Sequence, residues 1–308
     1  MNPVLADIID LLTVERIETN LYRGRNDARV PHVFGGQVLA QAIAAANATV
    51  DGGRDLHSMH AYFLRAGDWN RPVLYEVDRI RDGRSFTTRR VKAIQHGRAI
   101  LSLSGSWQAP ETGLSHAARM PDVPGPDGLA LDRDRYARLA KRHPRVRGFA
   151  FRYDAIDSRQ VEGFLMTDPT PRAPLKHTWM RTVDRLPDDP RLHQALLAYL
   201  SDMDFMSTSL LPHGATPAAG AAIQGASLDH SLWFHRPLRV DEWLLFAKES
   251  PTAGGARGFV RGSFFTEAGE LVASAMQECL IRPRPDSAKG SDREPGSGAD
   301  GEGGGASA

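Results

Sequence analysis

Gln224–Pro237 reads QGASLDHSLWFHRP, bulky apolar residues alternating with polar ones as in a half-buried strand. A similar strand, SMHAYFLRAG, begins at Ser58, and at an offset of 170 His60 falls on His230 and Phe63 on Trp233. At the same offset the VLYEV run from Val73 falls on the WLLFA run from Trp243. With small indels Arg84 and Phe86 fall on Arg257 and Phe259, and Gly97 on Gly269. Each half also opens on one helical segment, VLAQAIAAANA after HVFGGQ in the first and PRLHQALLAYLSDMDFMSTSL in the second. The alanine-rich, proline-free first segment is a good helix former. Consecutive alternating runs punctuated by glycine follow each helix, which predicts antiparallel strands. The chain therefore reads as an internal duplication with an α+β fold. Two antiparallel sheets, each wrapped around a long helix, make the double hotdog arrangement.

The segment between the halves is rich in proline, glycine and charge (PETGLSHAARMPDVPGPDG), and a short helix is expected near LDRDRYARLAKRH. This predicts an N-terminal hotdog over 1–110, a linker with a short helix over 111–145 and a C-terminal hotdog over 146–284. The last residues, 285–308, have almost nothing to bury and read as a disordered tail.

Composition narrows the function. The 308 residues carry 38 basic and 37 acidic side chains, a balance that argues against nucleic acid as a dedicated partner. One cysteine excludes an internal disulfide and a thiolate zinc cage. The acidic N-terminal segment lacks the marks of a secretory signal, and no apolar run reaches the roughly 20 residues of a membrane helix. A soluble, cytoplasmic protein is expected, without metal, cofactor or membrane association.

Three polar residues stand where apolar ones belong. On the last strand, Leu271, Ala273, Ala275, Gln277, Cys279 and Ile281 share one face, and Gln277 is its only amide. Burying that amide without a partner costs about 1–3 kcal/mol, so a polar group is expected opposite it. In the second helical segment Ala195, Tyr199, Asp202 and Met206 form one stripe, which brings a carboxylate into line with packed residues. Asp204 beside it reads as a surface acid. Alternation puts Ser227 on one face with Asp229, Ser231, Trp233 and His235, and His230 on the other with Leu228, Leu232 and Phe234. His230 reads as a satisfied core histidine, in the same slot as His60.

The stretches HVFGGQVLAQA, SDMDF, SLDHSLWFHRP, DEWLLF, ARGFVRGSFFTEAGELVAS and MQE resemble the acyl-CoA thioesterase II (TesB-like) family of double-hotdog enzymes, in order and spacing along almost the whole chain. The resemblance implies hydrolysis of fatty acyl-CoA to fatty acid and CoA, a place in fatty acid metabolism, and no cofactor. It also implies a catalytic set of aspartate, threonine or serine, and glutamine that holds a hydrolytic water. By motif these fall on Asp202 in SDMDF, Ser227 in GASLDHS and Gln277 in MQE. Serine stands where threonine is the commoner occupant.

The Gly35–Gly36 pair precedes a helix, so its backbone N–H groups are candidate oxyanion donors. The same pair also suits a tight entry of the chain into the helix. In the first half His57 falls on Ser227 and Gly105 on Gln277, and the helix has no acid, so one active site per chain is expected. Cys279, with no histidine base on its strand, reads as a small hydrophobe. The basic band Arg79, Arg81, Arg84, Arg89, Arg90 and Lys92 could meet CoA phosphates or form a solvated face. Two other activities bear on the same residues, a hotdog enoyl-CoA hydratase and a non-hydrolytic acyl-CoA binding protein. GDWNRPVLYE echoes the hydratase motif, but Arg71 splits its asparagine from Pro72 and no histidine follows. Exposed hotdog sheets associate, so a homo-oligomer, dimer or higher, is expected.

Overall fold

The computed structural model describes residues 1–27, 29, 33–143, 146, 150–215 and 223–284; the tail at 285–308 lies outside them. Helix α1 (Pro3–Leu12) opens the chain, capped by the Asn2 side chain, which accepts from the Val4 and Leu5 N–H groups at 2.9 and 3.1 Å. Strands β1 (Glu15–Glu18) and β2 (Leu21–Gly24) lead to α2 (Gly35–Asn47), and β3 (Asp55–Phe63), β4 (Val73–Asp82), β5 (Phe86–Gln95) and β6 (Arg98–Gln108) complete the first half. After the linker helix α3 (Asp132–Arg142) come β7 (Ile156–Gln160), β8 (Leu175–Thr182) and α4 (Pro190–Ser201). The second half closes with β9 (Ile223–Ser227), β10 (Asp229–Phe234), β11 (Leu244–Gly254), β12 (Arg257–Thr266) and β13 (Leu271–Pro283).

The strand order β1-β2-β4-β5-β6-β3 in the first half is repeated as β7-β8-β11-β12-β13-β10 in the second. This is the double hotdog. The two sheets are joined edge to edge, because β3 pairs antiparallel with β10 and makes one 13-stranded sheet, with β9 added beside β13. Its inner face holds α2 and α4 against each other. From Gly36 to Ile43 every residue of α2 is buried, as a helix in a sheet's concavity must be. Its two glutamines are satisfied: Gln37 donates to the Arg25 carbonyl at 3.1 Å, and Gln41 accepts from the Tyr75 hydroxyl at 2.6 Å. Among the described residues no helix is long and apolar enough to cross a membrane.

The register corrects the repeat by one residue. His60 is exposed on the outer face, opposite Ser231, whereas His230 is fully buried on the inner one. Since side chains alternate along a strand, an offset of 170 would exchange the two faces. Matching inner face to inner face puts Met59 on His230, Ala61 on Leu232 and Val77 on Lys248. The two histidines do not share a slot. Gly105, opposite Met59, remains the counterpart of Gln277, which lies beside His230.

The outer face of the second half is covered by the linker. Met120, Val123 and Leu129 pack on Trp179, Trp243, Leu245 and Phe265, and the Trp179 indole N–H donates to the Pro124 carbonyl at 2.8 Å. The second helix is shorter than its apolar stripe suggests. It stops at Ser201, and Met206 lies beyond it in a 3₁₀ segment, Met206–His213.

Candidate active site

Asp202 is the C-cap residue of α4, and the chain leaves the helix through Asp204 at φ 56°. The N-terminus of α2 faces it. A Cβ on Gly35 would lie 2.6 Å from Asp202 Oδ2, and one on Gly36 would lie 2.5 Å from the Tyr199 carbonyl oxygen. Both glycines are therefore required for the end of α4 to meet the start of α2. The Gly36 N–H bonds to the Asp202 carboxylate, where the positive end of a helix dipole favours a negative group. Of the two backbone groups expected as oxyanion donors, the structure engages Gly36 with the carboxylate.

Gln277 sits on β13 between Ala275 and Cys279, on the apolar face where alternation puts it, and is 1% exposed. Ser227 arrives by a different route from the one alternation implies. Opposite Glu278, the chain inserts both Leu228 and Asp229: Ser227 pairs with Cys279, Ser231 with Met276, and the Leu228 N–H and the Asp229 carboxylate both bond to Glu278 backbone groups. This bulge shifts the side-chain phase, so Ser227 joins the inner face and does not share the outer one with Ser231 and Trp233.

The three residues meet. Gln277 Nε2 donates to Ser227 Oγ at 2.9 Å, and Ser227 Oγ donates to Asp202 Oδ1 at 3.3 Å. Sequence reasoning left out the fourth member. His230 is 0% exposed, and its Nδ1 lies 2.8 Å from Gln277 Oε1 and its Nε2 2.8 Å from Ser201 Oγ. The signal was present in the alternation, which puts His230 on the buried face; the bulge hid its proximity to Ser227.

Burial dominates the electrostatics. Loss of hydration raises the Asp202 pKa to about 7, against the opposing pull of the Gly36 N–H, the Ser227 hydroxyl and the Arg152 charge. Burial lowers that of His230 to about 4, although its bond to Gln277 works the other way. At neutral pH the histidine is uncharged and the aspartate stands near its midpoint, as suits a group that takes and releases a proton.

The corresponding place in the first half is filled. Asn47 closes α2 as Ser201 closes α4, and its Oδ1 accepts from the Trp107 indole N–H at 2.8 Å. The ring lies over Gly105, where a Cβ would stand 2.7 Å from the indole. Trp107 is fully buried, so apolar bulk occupies the region where the second half carries its polar chain.

Other residues singled out in the sequence fall as follows. Asp204 is not a surface acid: its side chain is 12% exposed and pairs with Lys176. Cys279 is buried, its thiol donates to the Gly258 carbonyl at 3.2 Å, and burial raises its pKa, which suits an inert thiol. The basic band is largely engaged within the sheet. Arg90 pairs with Asp78 at 2.7 Å, Lys92 with Glu76 at 3.1 Å, and Arg89 is buried against Asp82 and Thr49.

The second half matches the acyl-CoA thioesterase family over residues 161–280, and the first matches the acyl-CoA thioesterase N-terminal domain over 23–108. Acyl-coenzyme A thioesterase 8 of Mus musculus is 40% identical, covering 90% of this chain and 89% of its own. Acyl-CoA thioesterase 2 of Haemophilus influenzae is 37% identical, covering 92% and 99%. Among solved structures, the acyl-CoA thioesterase II TesB2 of Mycobacterium marinum superimposes with a TM-score of 0.75 at 41% identity, covering 90% of this chain and 98% of that one.

Proposed function

The chain belongs to the acyl-CoA thioesterase family, and on that premise we propose that it hydrolyses fatty acyl-CoA to fatty acid and CoA through a water held by Asp202, Ser227 and Gln277. The observation that supports this most directly is the Ser227 hydroxyl, bonded to Asp202 on one side and Gln277 on the other. Three side chains from α4, β9 and β13 converge there, next to the N-terminus of α2.

In this reading ionised Asp202 accepts a proton from the water as its oxygen bonds to the thioester carbon. Ser227 and Gln277 orient the water towards that carbon. The negative charge that develops on the carbonyl oxygen needs donors already in place. With the Gly36 N–H given to Asp202, we assign that role to Gly35, whose N–H at the start of α2 has no intrahelical acceptor. Collapse of the tetrahedral species breaks the C–S bond and expels the thiolate, which takes up the proton. A thiol has a pKa of roughly 8.5, so the leaving group needs little help from an acid. No covalent enzyme intermediate forms.

The same reading gives one active site per chain, carried by the C-terminal hotdog at 146–284. The N-terminal hotdog at 1–110 serves as its support and as a wall of the acyl channel, and 111–145 joins them. Outer-face side chains such as Tyr62, Leu74 and Ile80 are exposed, consistent with association into a dimer or larger assembly. Release of free thiol from an acyl-CoA, lost in Asp202→Asn, tests the proposal. Hydration of crotonyl-CoA without thiol release would instead favour a hydratase, and binding without turnover a carrier.

A further inference from the structure

The hydrogen-bond chain does not end at Gln277. It continues through His230 to Ser201, the last residue of α4 and the neighbour of Asp202. The chain thus begins and ends on adjacent residues of one helix terminus. Every member between them is held by two side-chain neighbours at 2.8–3.3 Å.

Proton counting fixes its direction. A serine hydroxyl has one proton, a carboxylate has none, and a neutral imidazole has one N–H and one bare nitrogen. With Asp202 ionised, the Ser227 proton must go to Asp202, so Gln277 must turn its amide N–H₂ towards Ser227 and its carbonyl oxygen towards His230. That oxygen requires a proton on Nδ1, which leaves Nε2 bare and in need of a donor. Ser201 Oγ, 2.8 Å away, is that donor. The Ala198 carbonyl, 2.9 Å from the same hydroxyl, competes for its single proton. If Ser201 gave its proton to Ala198, Nε2 would carry the hydrogen, Nδ1 would be bare, and the Gln277 amide would be driven to the opposite orientation.

We propose that Ser201 and His230 are positioning residues for the thioesterase reaction: Ser201 selects the imidazole tautomer, and His230 thereby holds the Gln277 amide in the one orientation that leaves the Ser227 proton for Asp202. This deepens the assignment of Asp202, Ser227 and Gln277 as the water-holding set and rests on it. The two residues touch neither water nor substrate; they act through Gln277.

The test compares steady-state kinetics on an acyl-CoA for His230→Leu, His230→Asn, Ser201→Ala and Ser201→Thr, with Asp202→Asn alongside and thermal unfolding recorded for each. Asparagine can present an amide N–H where Nδ1 stands, and threonine keeps the hydroxyl. Misplacement of a reacting group by about 1 Å costs on the order of 100-fold in rate, so His230→Leu is expected to lower kcat by roughly that factor with KM within about twofold. His230→Asn should recover at least ~10-fold of the loss, and Ser201→Thr should exceed Ser201→Ala in kcat by several-fold. Folded His230→Leu or Ser201→Ala protein with full kcat overturns the proposal, as does asparagine no more active than leucine. If His230→Leu does not fold, the serine pair decides. Full activity in Asp202→Asn would instead sink the underlying water-holding assignment, which keeps the two failures distinct.

Discussion

Asp202 and Asp204 stand on either side of Met203, yet their carboxylates enter different polar clusters. Asp202 meets Ser227 and the start of α2, whereas Asp204 turns back under the second half to pair with Lys176. The left-handed backbone at Asp204, φ 56°, separates them. Helical geometry would have set residues two apart on different faces; here the turn sends both inward.

The Asp204 cluster holds two buried lysines with unequal roles. Lys176 pairs with Asp204 directly, while Lys248 donates to Thr178 Oγ1 at 3.1 Å, and its burial lowers its pKa to about 8. Removing the direct partner of a buried charge costs about 3–5 kcal/mol, whereas the Lys248 ammonium makes its direct bond to a hydroxyl and is disfavoured by its lost hydration. Lys176→Met is therefore expected to destabilise by that amount. Lys248→Met, which moves the position towards its first-half counterpart Val77, is expected to leave stability unchanged or raise it. Urea unfolding of both variants checks the contrast; equal losses would contradict it.

Asp202→Asn should lower kcat by about 10²–10⁴-fold with little change in KM, because it removes the base while leaving the acyl and CoA contacts in place. The same substitution removes a charge that burial disfavours, so the variant should melt at a higher temperature than the parent. Thiol release and calorimetry on the same preparation supply both readings. A variant less stable than the parent would mean that the carboxylate is held more favourably than its raised pKa indicates.

Gln277 was legible because a lone amide on an apolar face demands a partner, and Asp202 because it continued a buried stripe. What the sequence hid were changes of phase. The bulge at Leu228–Asp229 moved Ser227 to the inner face, so simple alternation separated it from the residues it meets. The repeat was recognisable, but a shared histidine letter set its offset one residue short and set an outward His60 on an inward His230. Asp204 was misjudged because the helix ends at Ser201, where the periodicity of apolar residues gives no warning. Alternation and helical period predict which face a side chain takes only within an unbroken element, and of the three site residues only Gln277 lies within one: Asp202 stands where α4 ends and Ser227 where β9 meets the bulge.

The Trp107 indole over Gly105 makes the number of sites a structural question. Its ring and Asn47 occupy the place where a second polar chain would have to stand, so titration with a non-hydrolysable acyl-CoA analogue should saturate at one per chain. Trp107→Ala would open a cavity at a cost of about 3–5 kcal/mol without creating a second site, since no acid stands on α2 to serve it. Saturation at two per chain in the parent would require a second substrate site in the first half.

The raised pKa of Asp202 gives activity and stability opposite responses to pH. As a base it works only when ionised, so log kcat/KM should climb with unit slope below about 7 and level off above it. For stability, the folded pKa of about 7 exceeds the ordinary 3.8, so between those values the folded protein keeps a proton that the unfolded chain has lost. Its contribution to stability therefore declines as pH rises through this window and is constant above it. His230 acts in the other sense: with a folded pKa of about 4 against 6.5, it lowers stability as pH falls through that range. The two overlap in mildly acidic solution, so a parent curve alone would mix them. The difference between Asp202→Asn and the parent separates the aspartate, and it should widen from about pH 4 to 7 and then stay level. A difference that is flat across that window would show that the carboxylate ionises at its ordinary pKa, and the rise in kcat/KM would then have to come from another group.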